Sequence, residues 1–112
     1  MLTPQEVAEK HLTAVKGGDP SQMAEDYADD AVLVRGNDIY TGKEEIFEYF
    51  NGVPKRLGSG VIEFLKLEVN ETTAYFSWEI TDDQKIISGK DILTIKDGQI
   101  QHQEVTLLTE DF

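Results

Sequence analysis

The chain has 112 residues, 10 Lys and Arg against 22 Asp and Glu, and a net charge of −12. That field repels nucleic acid and acidic membrane surfaces, so neither is expected as a partner. There is no Cys, which excludes disulfides, thiolate catalysis and Cys-based zinc sites.

The length suits one domain, residues 1–112. Met1-Leu2-Thr3-Pro4-Gln5-Glu6 has neither a basic nor an apolar region of the secretory kind, and no apolar run reaches a membrane span. The expectation is a soluble cytoplasmic protein. Thr3-Pro4-Gln5-Glu6 reads as a capping box with Pro at the first helical position. Val7, Ala8, His11, Leu12, Ala14 and Val15 follow at helical spacing, and Gly17-Gly18 ends the helix. Asp19-Pro20 opens a second, short helix predicted to run to about Tyr27. Asp29-Asp30 is expected to turn into a strand from Ala31 to Arg35, with a short return strand at Ile39-Tyr40. Thr41-Gly42-Lys43-Glu44 reads as another capping box, opening a third helix with Ile46, Phe47, Tyr49 and Phe50.

The period then changes. Val53 to Gly60 is predicted to be a loop; its Gly58-Ser59-Gly60 lacks the Lys of a phosphate loop. Four strands are predicted at about 61–69, 72–81, 85–96 and 99–108, parted by Asn70-Glu71, Asp82-Asp83-Gln84 and Asp97-Gly98. Ala74, Phe76, Trp78 and Ile80 alternate with polar residues, and the first strand's phase shift suggests a bulge. Helices followed by an antiparallel meander make an α+β fold.

Two groups break the pattern. Asp91 falls in phase with Ile87, Leu93 and Ile95, on a face that wants apolar side chains. A buried carboxyl is costly to ionise unless paired, and raising its pKa is one way to build an acid–base site. His11 lies within the apolar stripe of the first helix, where a satisfied core histidine is the plainer reading. Glu25, Asp26, Asp29 and Asp30 read as a solvated helix end and turn, and the two His are distant in sequence. No metal site is therefore expected. The Trp78 indole needs a hydrogen-bond acceptor, either Asp91 or a ligand.

Gly18-Asp19, Tyr27-Ala28-Asp29-Asp30-Ala31, Tyr40-Thr41-Gly42-Lys43-Glu44-Glu45-Ile46 and Lys96-Asp97-Gly98-Gln99-Ile100 occur in an order that resembles the nuclear transport factor two-like superfamily. Within it the chain is most similar to SnoaL-like polyketide cyclases and ketosteroid isomerases. The resemblance implies a cone, or cystatin-like roll: three N-terminal helices on a strongly curved antiparallel sheet around an apolar cavity. It places His11 and Asp91 at the isomerases' oxyanion-hole positions and Arg35 at that of their general base. A guanidinium cannot take a proton at neutral pH, which argues against steroid isomerisation by that mechanism. Tyr27, Phe50, Phe76, Trp78, Gln103, Val105 and Leu107 match cavity-lining positions.

The expectation is a pocket for a small apolar or amphipathic molecule. Asp91, His11 and Arg35 are its candidate catalytic groups. They would run a cofactor-independent isomerase, cyclase or lyase reaction by acid–base chemistry on a carbonyl or hydroxyl compound. The alternatives are a non-catalytic ligand-binding module and a dimeric association domain of the same fold. A homodimer through the outer sheet face is expected, with Tyr75, Ser77, Ile92, Thr94, His102 and Glu104 as candidates.

Overall fold

Thr3 caps α1 (Pro4–Gly17): its hydroxyl accepts from the Glu6 N–H at 3.2 Å while the Glu6 carboxylate accepts from the Thr3 N–H at 2.9 Å. Gly18 closes α1 in the left-handed conformation at φ 73°, which glycine adopts without strain. The capped helix turns Val7, Ala8, His11 and Ala14 inward. Asp19 then caps α2 (Pro20–Glu25) by accepting from the Ser21 and Gln22 N–H groups. The structure, a computed structural model, describes residues 2–52, 61–82 and 85–108. The loop predicted over Val53–Gly60 and the Asp83-Gln84 part of one turn lie outside the described residues.

The rest of the chain is β1 (Tyr27–Arg35), β2 (Asp38–Thr41), α3 (Lys43–Asn51), β3 (Val61–Asn70), β4 (Thr73–Asp82), β5 (Lys85–Lys96) and β6 (Gln99–Leu107). The strands form one sheet in the order β2-β1-β6-β5-β4-β3. All pairings are antiparallel except β1 with β6, which is parallel. That pairing brings the N-terminal hairpin to the last strand of the meander. Asp97 and Gly98 both take positive φ, 55° and 74°, in the two-residue turn joining β5 to β6. The predicted bulge in β3 is present: the register with β4 slips between Phe64 and Lys66.

Two local expectations need correction. β1 starts at Tyr27, so Asp29 and Asp30 are exposed strand residues, not a turn; the pairing with β6 is irregular across this stretch. α3 has no Thr41 capping box. Gly42 is its N-cap at φ 88°, and Glu45, not Glu44, reaches back to accept from the Thr41 N–H at 3.0 Å.

The core lies between the helices and the concave face of the sheet. Val7 and Ala8 of α1, Ile46 of α3, Ala31 and Leu33 of β1 and Leu93 and Ile95 of β5 are all but inaccessible there. Burying each large apolar side chain contributes roughly 1.5–3 kcal/mol. Polar groups placed in the same layer are therefore held against a strong preference for water.

Candidate functional site

Asp91 faces inward on β5, only 7% exposed. Its cross-strand partners are Phe76 on β4 and Val105 on β6. Two residues along each neighbour, on the same face, lie Trp78 and Gln103. The Trp78 indole donates to Asp91 Oδ1 at 2.9 Å, and the Gln103 amide donates to Oδ2 at 2.6 Å. The acceptor sought for Trp78 is thus Asp91.

Burial pushes the Asp91 carboxyl up to about 6, against the Trp78 and Gln103 hydrogen bonds and the nearby His11, which pull it down. Desolvation wins although charge-assisted hydrogen bonds contribute about 1.5–3 kcal/mol each. A carboxyl of this kind is poised to take or give a proton near neutrality.

The polar chain continues from Gln103 toward the helices. Tyr27, fully buried, donates its hydroxyl to Gln103 Oε1. Burial, with Asp91, Tyr49 and Asp26 nearby, pushes the Tyr27 phenol well above its ordinary value, so it keeps its proton. His11 Nε2 lies 3.4 Å from the same hydroxyl. On its other side, His11 Nδ1 stands 3.6 Å from Asp26 Oδ2, beyond good hydrogen-bond distance. Lys10 Nζ is 3.3 Å from Asp26 Oδ1 and half exposed. The sequence of contacts therefore runs from the surface at Lys10 to Asp91.

Beside this chain is a narrow cavity of about 50 Å³. His11, Trp78, Asp91 and Gln103 supply its polar groups, and Phe50, Phe64, Phe76, Ile62, Ile80 and Val105 much of its apolar wall. The lining, apolar with a few convergent polar groups, is that of a small-molecule site, at a volume well below the roughly 300–1,000 Å³ such sites usually have.

A SnoaL-like domain pattern matches residues 8–103. The chain belongs to the SnoaL-like domain family. A search of curated proteins finds no significant match. Among solved structures, this SnoaL-like domain is similar to a candidate polyketide cyclase from Sinorhizobium meliloti, at 22% identity and TM-score 0.76 over 89% of this chain and 93% of that one. A candidate ketosteroid isomerase from Kribbella flavida gives 17% identity and TM-score 0.83 over 97% and 79% of the two chains. A de novo designed protein with a curved β-sheet gives 18% identity and TM-score 0.82 over 93% and 84%. At these identities the likeness is one of fold; cystatin-like folds are among the similar structures.

Of the site residues expected from sequence, His11, Phe50, Phe76, Trp78, Asp91, Gln103 and Val105 line the cavity together. Tyr27 lies behind it, hydrogen-bonded to Gln103. Arg35 and Leu107 do not reach it. They line an open depression at the end of β1 and β6 with Asn37, Asp38 and Glu104. Arg35 is the last residue of β1, paired with Asp38 at the hairpin turn, which carries it past the core layer. Asp26 was missed: an acid ending a short helix looks solvated, yet the structure buries it to 5% exposure. Tyr49, Ile62 and Phe64 also line the cavity, and a strict reading of their helical and alternating phases would have found them.

Proposed function

We propose that this SnoaL-like domain is a cofactor-independent acid–base enzyme for a small, largely apolar carbonyl or hydroxyl compound. Asp91 is its proton-transfer group. The observation that carries this reading is a buried carboxyl, raised to about 6, at the wall of an apolar cavity. Its carboxylate would take a hydrogen from the carbon next to a carbonyl as a proton, leaving the C–H electron pair in an enolate. Returning the proton to another carbon isomerises the compound; giving it instead to a β-hydroxyl as the enolate expels that group releases water and restores the carboxylate. Trp78 and Gln103 fix the carboxyl plane, and His11, whose two ring nitrogens face Tyr27 and Asp26, gives the cavity wall its ring. Similarity to structures described as a candidate cyclase and a candidate isomerase agrees with such chemistry.

The experiment is hydrogen–deuterium exchange into small cyclic ketones and β-keto esters, followed by NMR. Wild type should accelerate exchange over buffer, and Asp91→Asn should lose about 10²–10⁴-fold of that rate. The narrow cavity and the two hydrogen bonds already held by Asp91 favour a second reading, a non-catalytic ligand-binding module. Under it, the same compounds shift cavity resonances while exchange stays at the buffer rate.

We also propose that the outer sheet face is covered by a second copy of the chain. Tyr75 is 45% exposed there, in a groove with Lys66, Glu68, Ser77, Lys90 and Ile92. Charges of both signs around an exposed aromatic ring can meet their own copies across a two-fold axis.

A further inference from the structure

We propose that Asp91 and His11 share one proton through a reversible hydrogen-bond chain in which Gln103 and Asp26 are positioning residues. Hydrogen counting along the buried contacts leads to this result. Gln103 donates its NH₂ to Asp91, so its carbonyl oxygen faces Tyr27. Tyr27 has one hydroxyl hydrogen and gives it to that oxygen. The Tyr27 oxygen can then only accept from His11, so His11 Nε2 carries a hydrogen. His11 Nδ1 faces Asp26 Oδ2, and neither atom has a hydrogen-bond partner among the described residues. A bare Nδ1 lone pair against a carboxylate is repulsive in a buried site. A second hydrogen on Nδ1 removes the conflict and makes an imidazolium facing Asp26.

The same side chains have one other satisfied arrangement. With the Gln103 amide turned over, Asp91 carries a hydrogen and donates it to Gln103 Oε1. Gln103 then donates to Tyr27, Tyr27 to His11 Nε2, and a neutral His11 keeps its hydrogen on Nδ1, toward Asp26. Both arrangements contain the same number of hydrogens. They differ in whether the proton sits on His11 or on Asp91, and in the sense of the amide. Proton loading at one end therefore disfavours loading at the other, and the two groups titrate as a coupled unit. The equilibrium requires no proton to cross the amide.

Charged and titratable neighbours fit this scheme. From α1, Lys10 stands 3.3 Å from the other Asp26 oxygen, and the exposed Glu25 at the end of α2 is 3.8 Å from the same ammonium. From β1 comes Tyr27, from α3 the Phe50 ring against His11 and Tyr49 on the cavity wall, and from β5 Asp91 itself. The coupling stands on this buried chain and not on turnover.

The test is NMR titration of the His11 ring nitrogens, the Asp91 carboxyl carbon and the Gln103 side-chain nitrogen, with His102 as internal reference. All three groups in the chain should move with common midpoints, and His102 independently of them. Asp91→Asn should lower the His11 midpoint by about one pH unit or more, a tenfold loss of proton affinity. In a Gln103→Met background that response should shrink by more than half. An unmoved His11 midpoint in Asp91→Asn, or an undiminished response in the Gln103→Met background, overturns the chain; the second would leave only a through-space field. Should Gln103→Met not fold, wild type decides: a Gln103 nitrogen that stays flat through both steps overturns the proposal.

Discussion

Gly89 on β5 makes room for the indole of Trp78 on β4. The two are directly opposed in the strand register, and a Cβ on Gly89 would stand 2.8 Å from Trp78 Cε2 and 2.9 Å from the Thr106 carbonyl oxygen. Backbone blocks one side and a packed ring the other, so neither neighbour can yield cheaply. Gly89→Ala should push the indole out of reach of Asp91. We expect a loss of about 1–3 kcal/mol in urea unfolding, together with a changed emission spectrum from the single Trp. Unchanged emission and stability would show that the ring does not depend on this gap.

The pH dependence of stability follows from Asp91. Its pKa is raised from 3.8 to about 6 on folding, so the folded state binds this proton more tightly than the unfolded chain does. The stabilisation is fully present below about 4 and is lost as pH rises through about 6. The shift corresponds to about 3 kcal/mol. Other carboxylates add their own slopes, so the quantity to measure is the difference between Asp91→Asn and wild type. Unfolding free energies at pH about 4 and about 8 should show the variant gaining about 2–3 kcal/mol relative to wild type. A difference that does not change with pH would mean the carboxyl is not raised.

Arg35 tests the limits of the cavity. Because it lines the depression beyond β1 instead, Arg35→Gln should leave the Asp91 titration midpoint and ligand-induced shifts at Asp91 and His11 unchanged. A stability change within about 1 kcal/mol is expected for a partly exposed charged residue. A displaced Asp91 midpoint would return Arg35 to the site.

At the start of α3, Glu45 and not Glu44 makes the carboxylate contact. Glu45→Ala should therefore destabilise by about 0.5–1 kcal/mol, and Glu44→Ala by less. Thermal melts of the two single variants would settle the order; equal losses would point to a general dipole effect.

For the proposed dimer, sedimentation equilibrium of wild type at micromolar concentration should give twice the chain mass. Tyr75→Asp should return it to the monomer mass with an unchanged far-ultraviolet spectrum. A wild-type monomer would remove the outer face as an interface.

Local periodicity reached a good part of this molecule. Thr3 and Glu6, Asp19 and the turn at Asp97-Gly98 mark their own positions, because caps and turns are satisfied within a few residues. Period 2 alone turned Asp91 and Trp78 inward, and the helical stripe turned His11 inward. The resemblance put Arg35 at the site, but an aligned position does not give depth, and the hairpin carries Arg35 past the core layer.

What the sequence by itself determined was the order of elements and, within the regular stretches of helix and strand, the face on which side chains such as His11, Trp78 and Asp91 lie. Both depend on backbone geometry repeated over a few residues. Only the tertiary structure decided which of those side chains meet. The parallel pairing of β1 with β6 carries Tyr27 to Gln103, and the β5–β6 register carries Gln103 to Asp91. The packing of α1 against α2 buries Asp26 beside His11. Each contact joins residues distant in sequence or packed across elements, and a raised carboxyl pKa depends on the water that such packing removes.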